Sequence, residues 1–168
     1  MILKPQDILI LIKLVALGEA EWSYSSLGLK LSMSPSEVHS GLKRAVAARL
    51  MDEQRRRPVK RALEEFLIHG VKYAYPPSRG GLTRGMPTSF AAPPLRDLLV
   101  SSDQLPPVWH DPEGGEQGYE FSPLYKSVPK AAARDPKLYE LLVLVDAIRD
   151  SRAREREIAV NEIKARLH

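Results

Sequence analysis

Residues 24–51 read YSSLGLKLSMSPSEVHSGLKRAVAARLM, and this stretch decides the predicted fold. Its spacing predicts two helices separated by a three-residue turn at residues 32–34. Ser34 is a good N-cap, Pro35 suits the first helical position, and Glu37 lies three residues after the cap. The apolar residues of the second helix recur at every fourth position and define one buried face, formed by Val38, Leu42, Val46 and Leu50. The sequence therefore predicts a helix-turn-helix.

The opposite face of the second helix is small, polar and basic. It carries Ser36, His39, Ser40 and Lys43, with Arg44 near its edge. Such a face on a capped helix that follows a short helix and a tight turn is typical of a DNA-reading element. The alternative is an ordinary amphipathic helix pair whose polar face is only solvated. The cap, the spacing and the basic flanks together favour DNA binding.

Composition sets the broad limits on function. The chain has 168 residues, of which 43% are hydrophobic, so it can bury a core. The net charge of +4 favours a polyanionic partner. There is no cysteine, which excludes disulfides, thiolate nucleophiles and Cys-based zinc sites, and a cytoplasmic location is expected.

The N-terminal segment, residues 2–17, is very apolar but contains Lys4, Asp7 and Lys13. It is shorter than the roughly 20 residues of a membrane span, and no small-residue cleavage pattern follows it. We therefore predict a buried helix that opens at Pro5 and stops at Gly18, with no membrane association. One side should pack on the helix-turn-helix and another on a second subunit, which makes the protein a homodimer.

This order of a long helix, a short extended piece at residues 21–24 and a helix-turn-helix resembles the bacterial winged-helix transcription regulators, the MarR-like group among them. The resemblance implies a winged-helix fold and a regulator of transcription that binds double-stranded DNA. Such proteins usually continue directly into a two-stranded wing. Here the sequence departs from that pattern, because Arg55, Arg56 and Arg57 form a basic turn and Pro58 is expected to start another helix.

We expect a displaced wing further along the chain. Residues 71–75 alternate around two tyrosines and predict a strand, and residues 88–92 supply a returning strand. Arg79 and Arg84 would then lie on the flexible tip of this hairpin. A surface loop without a DNA contact is the alternative.

The predicted fold class is mainly α with a small β component (α+β), in two parts. Residues 1–92 form the winged helix-turn-helix domain, and residues 93–168 form an irregular segment followed by a C-terminal helical hairpin that serves packing or dimerisation. The elements expected in the second part are a helix at 95–100, strands at 108–110 and 119–121, and helices at 127–133, 136–149 and from a Ser151 cap to the C-terminus.

The sequence predicts no catalytic residue, no metal site and no cofactor. Its histidines lack metal-ligand spacing, and the group around His110, Asp111 and Glu113 is typical of a polar turn. Two rival functions stay open. The C-terminal half can bind a protein partner, as in an antitoxin whose DNA binding is autoregulatory. An enzyme would need a pocket formed by Trp109, His110 and Tyr119.

The expected mechanism has two layers. One set of residues neutralises phosphates, and it consists of Lys43, Arg44, Arg49, Arg55, Arg56, Arg57, Lys60 and Arg61. A second set faces the base edges of the major groove, and it consists of Ser34, Ser36, Glu37, His39, Ser40 and Lys43. One helix reads few base pairs, so we expect a dimer on a palindromic site with half-sites about 34 Å apart.

Overall fold

The computed structural model describes residues 1–99, 104–150 and 152–168 and shows a mixed α/β arrangement with small sheets. Its helices are α1 Pro5–Leu17, α2 Tyr24–Leu31, α3 Pro35–Ala47, α4 Lys60–Glu65, α5 Val71–Ala74, α6 Leu95–Leu98, α7 Val128–Ala133, α8 Pro136–Arg149 and α9 Ala153–Leu167. Its strands are β1 Met51–Asp52, β2 Arg57–Pro58, β3 Arg79–Pro87, β4 Pro107–His110 and β5 Glu116–Phe121. The predicted α+β class, with helix predominant, is confirmed.

Helix α1 lies inside the core of a single chain. The helix ends at Gly18, as predicted. The φ of this residue is +67°, a conformation that suits glycine. The apolar side chains from Ile8 to Leu14 are at most 1% exposed, because α3, α8 and β2 pack around the helix. The prediction that α1 forms a subunit interface is therefore wrong for this buried stretch, since its own chain covers it on every side.

The two charged residues inside α1 are both buried and both paired. Asp7 is fully buried and accepts hydrogen bonds from Arg44 on α3. Lys13 forms an ion pair with Asp135, the residue that caps α8. Since a buried charge without a partner is strongly unfavourable, these pairs fix how α1 sits between α3 and α8.

Helix α8 begins as predicted, with the Asp135 carboxylate accepting from the Leu138 N–H at 3.2 Å. Every residue from Leu141 to Arg149 is buried, including two charged ones. Helices α8 and α9 pack against each other, as the predicted helical pair requires, and α8 runs through the core. Neither α1 nor α8 offers the exposed apolar surface that the predicted dimer contact requires.

A buried polar network joins α8 to the second sheet. The Asp146 carboxylate accepts three hydrogen bonds, from Thr88 Oγ1 at 2.6 Å, from Trp109 Nε1 at 2.8 Å and from Arg149 Nη1 at 2.8 Å. Arg149 also donates to the carbonyl of Tyr75 at 2.9 Å. Burial raises the pKa of Asp146, and the Arg149 charge and the hydrogen bonds oppose that rise.

The second sheet is built around β3, which is antiparallel to both β4 and β5. Strands β4 and β5 also pair with each other, in parallel, so the three strands close on themselves. The strands predicted at 108–110 and 119–121 are confirmed. Because β3 pairs with strands beyond residue 92, and one hydrophobic cluster includes α1, α3 and α8, the predicted boundary at residues 92 and 93 does not separate two cores.

The prediction of a displaced wing is wrong. Residues 71–75, predicted as a strand, continue the preceding helix through a π-helical turn at Phe66–Gly70 into α5. Buried apolar residues at four-residue spacing, Leu63, Leu67 and Val71, outweigh the alternation of the tyrosines. Arg79 and Arg84 lie within β3, and residues 89–91 form a 3₁₀ turn where a returning strand was expected.

Two further predictions fall partly outside the described residues. The helix predicted at 95–100 is present as α6, and Val100 lies outside the described residues. The predicted cap Ser151 also lies outside them, and α9 has Arg152 at its N-cap position. Helix α7 matches the prediction closely.

Candidate nucleic-acid interface

The start of α3 has the predicted capping box. The Ser34 hydroxyl accepts from the Glu37 N–H at 3.1 Å, and the Glu37 carboxylate accepts from the Ser34 N–H at 2.7 Å. The turn before it closes through the Met33 N–H, which donates to the carbonyl of Gly28 at 2.9 Å. Helix α3 therefore starts at a fixed position relative to α2.

The inner face of α3 packs very closely on α1. Val38 and Ala45 are fully buried, and Gly41 lies between them. A Cβ at Gly41 would stand 2.6 Å from the Ile10 side chain and 2.8 Å from the Asp7 carboxylate, so a larger residue would have to displace these side chains. This close contact fixes which face of α3 points outward.

The outer face of α3 is open to solvent. All six residues predicted to face the major groove are exposed, and they belong to one helix and its cap: Ser34, Ser36, Glu37, His39, Ser40 and Lys43. The described C-terminal half leaves this surface uncovered. The structure therefore brings the predicted base-reading residues together on one accessible face.

Glu37 is engaged in the cap. Its pKa lies below the usual value, first because the Ser34 backbone N–H donates to the carboxylate, and also because of the Ser34 hydroxyl and the charge of Lys126. A carboxylate held this way stays ionised at neutral pH. Its structural role accounts for its position. The neighbouring Ser40 and Ser36, whose hydroxyl lies 3.2 Å from that of Ser34, are exposed and accessible to a partner.

Arg44 does not belong to the exposed face. Its Nε donates to one carboxylate oxygen of Asp7 at 2.8 Å, and its Nη2 donates to the other at 2.9 Å. This bidentate pair raises the pKa of Arg44, and only 16% of the side chain is exposed. The guanidinium therefore links α3 to α1, and we remove Arg44 from the predicted phosphate contacts.

A two-stranded hairpin follows α3 directly, which corrects the expectation that none would occur there. Met51 pairs with Pro58 and Asp52 with Arg57, both antiparallel. The Asp52 carboxylate accepts from the backbone N–H groups of Gln54 and Arg55, each at 3.0 Å, and so fixes the turn. Strands of two residues leave no alternating pattern, so sequence reasoning had no signal for them.

The three hairpin arginines have different environments. The Arg56 guanidinium lies 3.9 Å from the centre of the Trp22 ring and donates to the Trp22 carbonyl at 3.1 Å. Arg57 donates to the carbonyls of Glu19 and Ala20 at 2.8 and 3.0 Å. These contacts attach the hairpin to the segment between α1 and α2. The Arg55 side chain, in contrast, is 84% exposed at the tip.

The other predicted basic residues divide into two groups. Arg49 between α3 and β1, and Lys60 and Arg61 just after β2, are exposed near the hairpin. Arg79 and Arg84 belong to the three-stranded sheet, where Arg79 pairs with Asp150 at 2.8 Å and Arg84 donates to the Gly114 carbonyl at 3.1 Å. The structure therefore does not place them with the α3 surface.

A groove of about 230 Å³ separates α3 from the hairpin. An aromatic row lies along it, with 5.8 Å between the ring centres of Trp22 and Tyr24 and 5.0 Å between those of Tyr24 and His39. The groove is also lined by Leu42, Lys43, Val46, Met51, Glu53 and Arg56. Trp22 and Tyr24 were missed by sequence reasoning, although two aromatic residues in a short extended segment gave a usable signal.

The residues of the enzyme alternative do not converge. Trp109 is fully buried and its indole N–H is used by Asp146. His110 is exposed and its Nδ1 lies 2.7 Å from Thr83 Oγ1, while Tyr119 is 47% exposed on β5. Adjacent residues of one strand point to opposite faces, so Trp109 and His110 cannot share a site.

No protein-family model matches the chain, and neither the search of curated proteins nor that of solved structures gives a match. Among residues 1–99, 104–150 and 152–168, no helix combines the length and apolarity needed to cross a bilayer.

Proposed function

We propose that this protein binds double-stranded DNA and regulates transcription, with α3 in the major groove and the β1–β2 hairpin beside it as a wing. The observation that carries the proposal is the exposed polar face of α3, from Ser36 to Lys43, on a helix whose inner face is rigidly packed. The order of α1, α2, α3 and the hairpin matches that of a winged helix. A rigid helix with a small polar face fits the width of a major groove, about 12 Å.

The chemistry of this face suits base edges. The hydroxyls of Ser36 and Ser40 both donate and accept hydrogen bonds, and the Lys43 ammonium donates to guanine or to phosphate. His39 is held at its Tyr24 contact, so its ring has a fixed direction. Short side chains at Ser36 and Ser40 let the helix backbone approach the bases closely.

The charge distribution supports the same partner. Most of the positive charge lies in residues 1–92, and residues 93–168 are net acidic. Arg49, Arg55, Lys60 and Arg61 are exposed around the end of α3 and the hairpin. Phosphate contacts from such residues supply the salt-dependent part of the affinity and set the register on the duplex.

The proposal includes binding as a dimer to a palindromic site, because one α3 helix reads few base pairs. The dimer contact must use a surface other than α1 and α8, whose apolar residues are buried within the chain. Sedimentation of the free protein and of the complex measures this directly, and one protomer per site at saturation would reject the dimer.

To test DNA binding, the purified protein is first used to retain fragments of the source organism's genome. The recovered site is then titrated with wild type, Lys43→Ala and Lys164→Ala. We expect Lys43→Ala to weaken binding by about 1–3 kcal/mol if Lys43 contacts a base. Lys164→Ala is the matched control, since it removes the same charge from the exposed side of α9.

Equal affinities for the three proteins would reject the role of the α3 face. Absence of any salt-dependent retention of duplex by the wild type would reject the function itself. In that case a protein that co-purifies with the chain would favour the partner-binding alternative.

A further inference from the structure

A basic segment stands out in the otherwise acidic C-terminal half. Residues 122–139 contain four cations, Lys126, Lys130, Arg134 and Lys137, and a single acid, Asp135. Asp135 is already engaged, because it pairs with Lys13 and caps α8. The four cations are all exposed. The segment therefore presents a surface with an excess of positive charge.

The fold attaches this segment to the helix-turn-helix. The Arg134 guanidinium donates to the Leu29 carbonyl at 3.2 Å and to the Ser32 hydroxyl at 2.8 Å, at the C-terminal end of α2 and in the turn before α3. A cation there also interacts favourably with the C-terminal dipole of α2. Helix α7, which precedes Arg134, packs on α2. The segment is thus fixed beside the turn.

Lys126 and Lys130 extend this surface past the turn. Arg134 Nε donates to the Lys130 carbonyl at 3.2 Å, so Lys130 lies one helical turn before it. Lys126 is close enough to Glu37, in the first turn of α3, to act on that carboxyl electrostatically. Lys126 lies two residues before α7 and Lys130 lies within it, so both belong to the segment that Arg134 attaches beside the turn before α3. The hairpin with Arg55 lies after its C-terminal end.

We propose that Lys126 and Lys130 form a second phosphate-binding arm, which contacts the duplex backbone beside the N-terminal end of α3. The inference rests on the proposed function and extends the DNA-contacting surface into the C-terminal half. Helix α3 has 13 residues and is about 20 Å long, which exceeds the major-groove width of about 12 Å. Cations at its two ends thus reach phosphates on the opposite edges of the groove.

The competing interpretation is that these lysines are ordinary surface charges. Two observations favour the arm. Three of the cations, Lys126, Lys130 and Arg134, are spaced four residues apart on and around one short helix, and the Arg134 side chain holds that helix against the helix-turn-helix. Four exposed cations and a single acid within 18 residues of an otherwise acidic half are best explained by a phosphate partner.

The experiment measures the salt dependence of binding to a fluorescein-labelled mixed-sequence duplex about two helical turns long. The double variant Lys126→Ala/Lys130→Ala is compared with wild type and with Arg154→Ala/Lys164→Ala, which removes two charges from α9. Each lost phosphate contact lowers the slope of log affinity against log salt by about 0.9. We therefore expect a decrease of about 1.8 for each bound protomer of the double variant, or about 3.6 for the proposed dimer, and no decrease for the α9 control. In hydroxyl-radical footprinting on the recovered genomic site, the double variant should lose protection at one edge of that site.

The outcomes separate the two proposals. If the double variant has the salt slope and the footprint of the wild type while DNA binding still depends on Lys43, the arm is overturned and the proposed function is left intact. An equal loss in the α9 control shows a general charge effect and also overturns the arm. A wild type that binds no duplex overturns the function and the arm with it. Thermal melting of each variant checks that the exposed substitutions leave the fold unchanged.

Discussion

Helices α3 and α8 begin in the same way and end in opposite environments. Each starts with a capping residue followed by proline, Ser34-Pro35 and Asp135-Pro136, and their lengths are 13 and 14 residues. Helix α3 buries one face and exposes the other. Helix α8 is buried over its whole second half, and its polar residues Asp146 and Arg149 are satisfied within the chain.

This difference separates two uses of polar side chains. In α8 a carboxylate and a guanidinium bind each other and four further groups, so they hold the sheet on the core. In α3 the polar residues Ser36, Ser40 and Lys43 are exposed, so they are accessible to another molecule. Identical start signals fix where a helix begins, and they carry no information about what surrounds it.

The largest expected effect is in α8. Asp146→Ala removes the acceptor of three buried donors, those of Thr88, Trp109 and Arg149. Loss of one partner from a buried charged pair costs about 3–5 kcal/mol, so urea unfolding should show a decrease of that size. The exposed Glu157→Ala on α9 should stay within about 0.5 kcal/mol. A loss below about 1 kcal/mol for Asp146→Ala would show that the network does not hold the sheet to α8.

The next effect contrasts two neighbours on α3. Arg44→Ala leaves Asp7 buried without its cation and should lower the free energy of unfolding by about 3 kcal/mol. Lys43→Ala, on the exposed face, should change it by less than about 0.5 kcal/mol while weakening DNA binding. Urea titrations and duplex titrations of both variants check this. A stable Arg44→Ala with reduced DNA affinity would return Arg44 to the interface.

The smallest effect concerns the shared start signal. Ser34→Ala removes the hydroxyl that accepts from the Glu37 N–H and should cost about 1 kcal/mol. Ser34→Gly should recover most of that loss, because glycine is itself a tolerated N-cap. Thermal or urea unfolding resolves the pair. An unchanged stability in Ser34→Ala would mean that packing on α1 alone fixes the start of α3.

Local signals in the sequence predicted the helical part of the fold well. The capping pairs at Ser34 and Asp135, the stop at Gly18 and the four-residue apolar spacing of α3 each act over one or two turns. The exposed site residues from Ser34 to Lys43 followed from that spacing. The strands β4 and β5 were also predicted, because their apolar and aromatic residues lie on either side of a turn that contains Pro112 and Gly114.

Predictions that depended on distant partners were wrong. Arg44 looked like an interface residue because Asp7, its partner, lies 37 positions earlier in the chain. The strand predicted at residues 71–75 became helix because Leu67 and Val71 pack together in the core. The hairpin after α3 was missed because its strands have two residues each and depend on Trp22, Arg56 and Arg57 for attachment.

The sequence by itself determined where α1, α3 and α8 begin, and which face of α3 is apolar, because these depend on neighbours within a few residues. Only the tertiary structure decided which charges are consumed in the core and which are left for a partner. Burial and pairing depend on residues far apart in sequence, and the same arginine is a structural link or a phosphate ligand according to whether a carboxylate such as Asp7 reaches it.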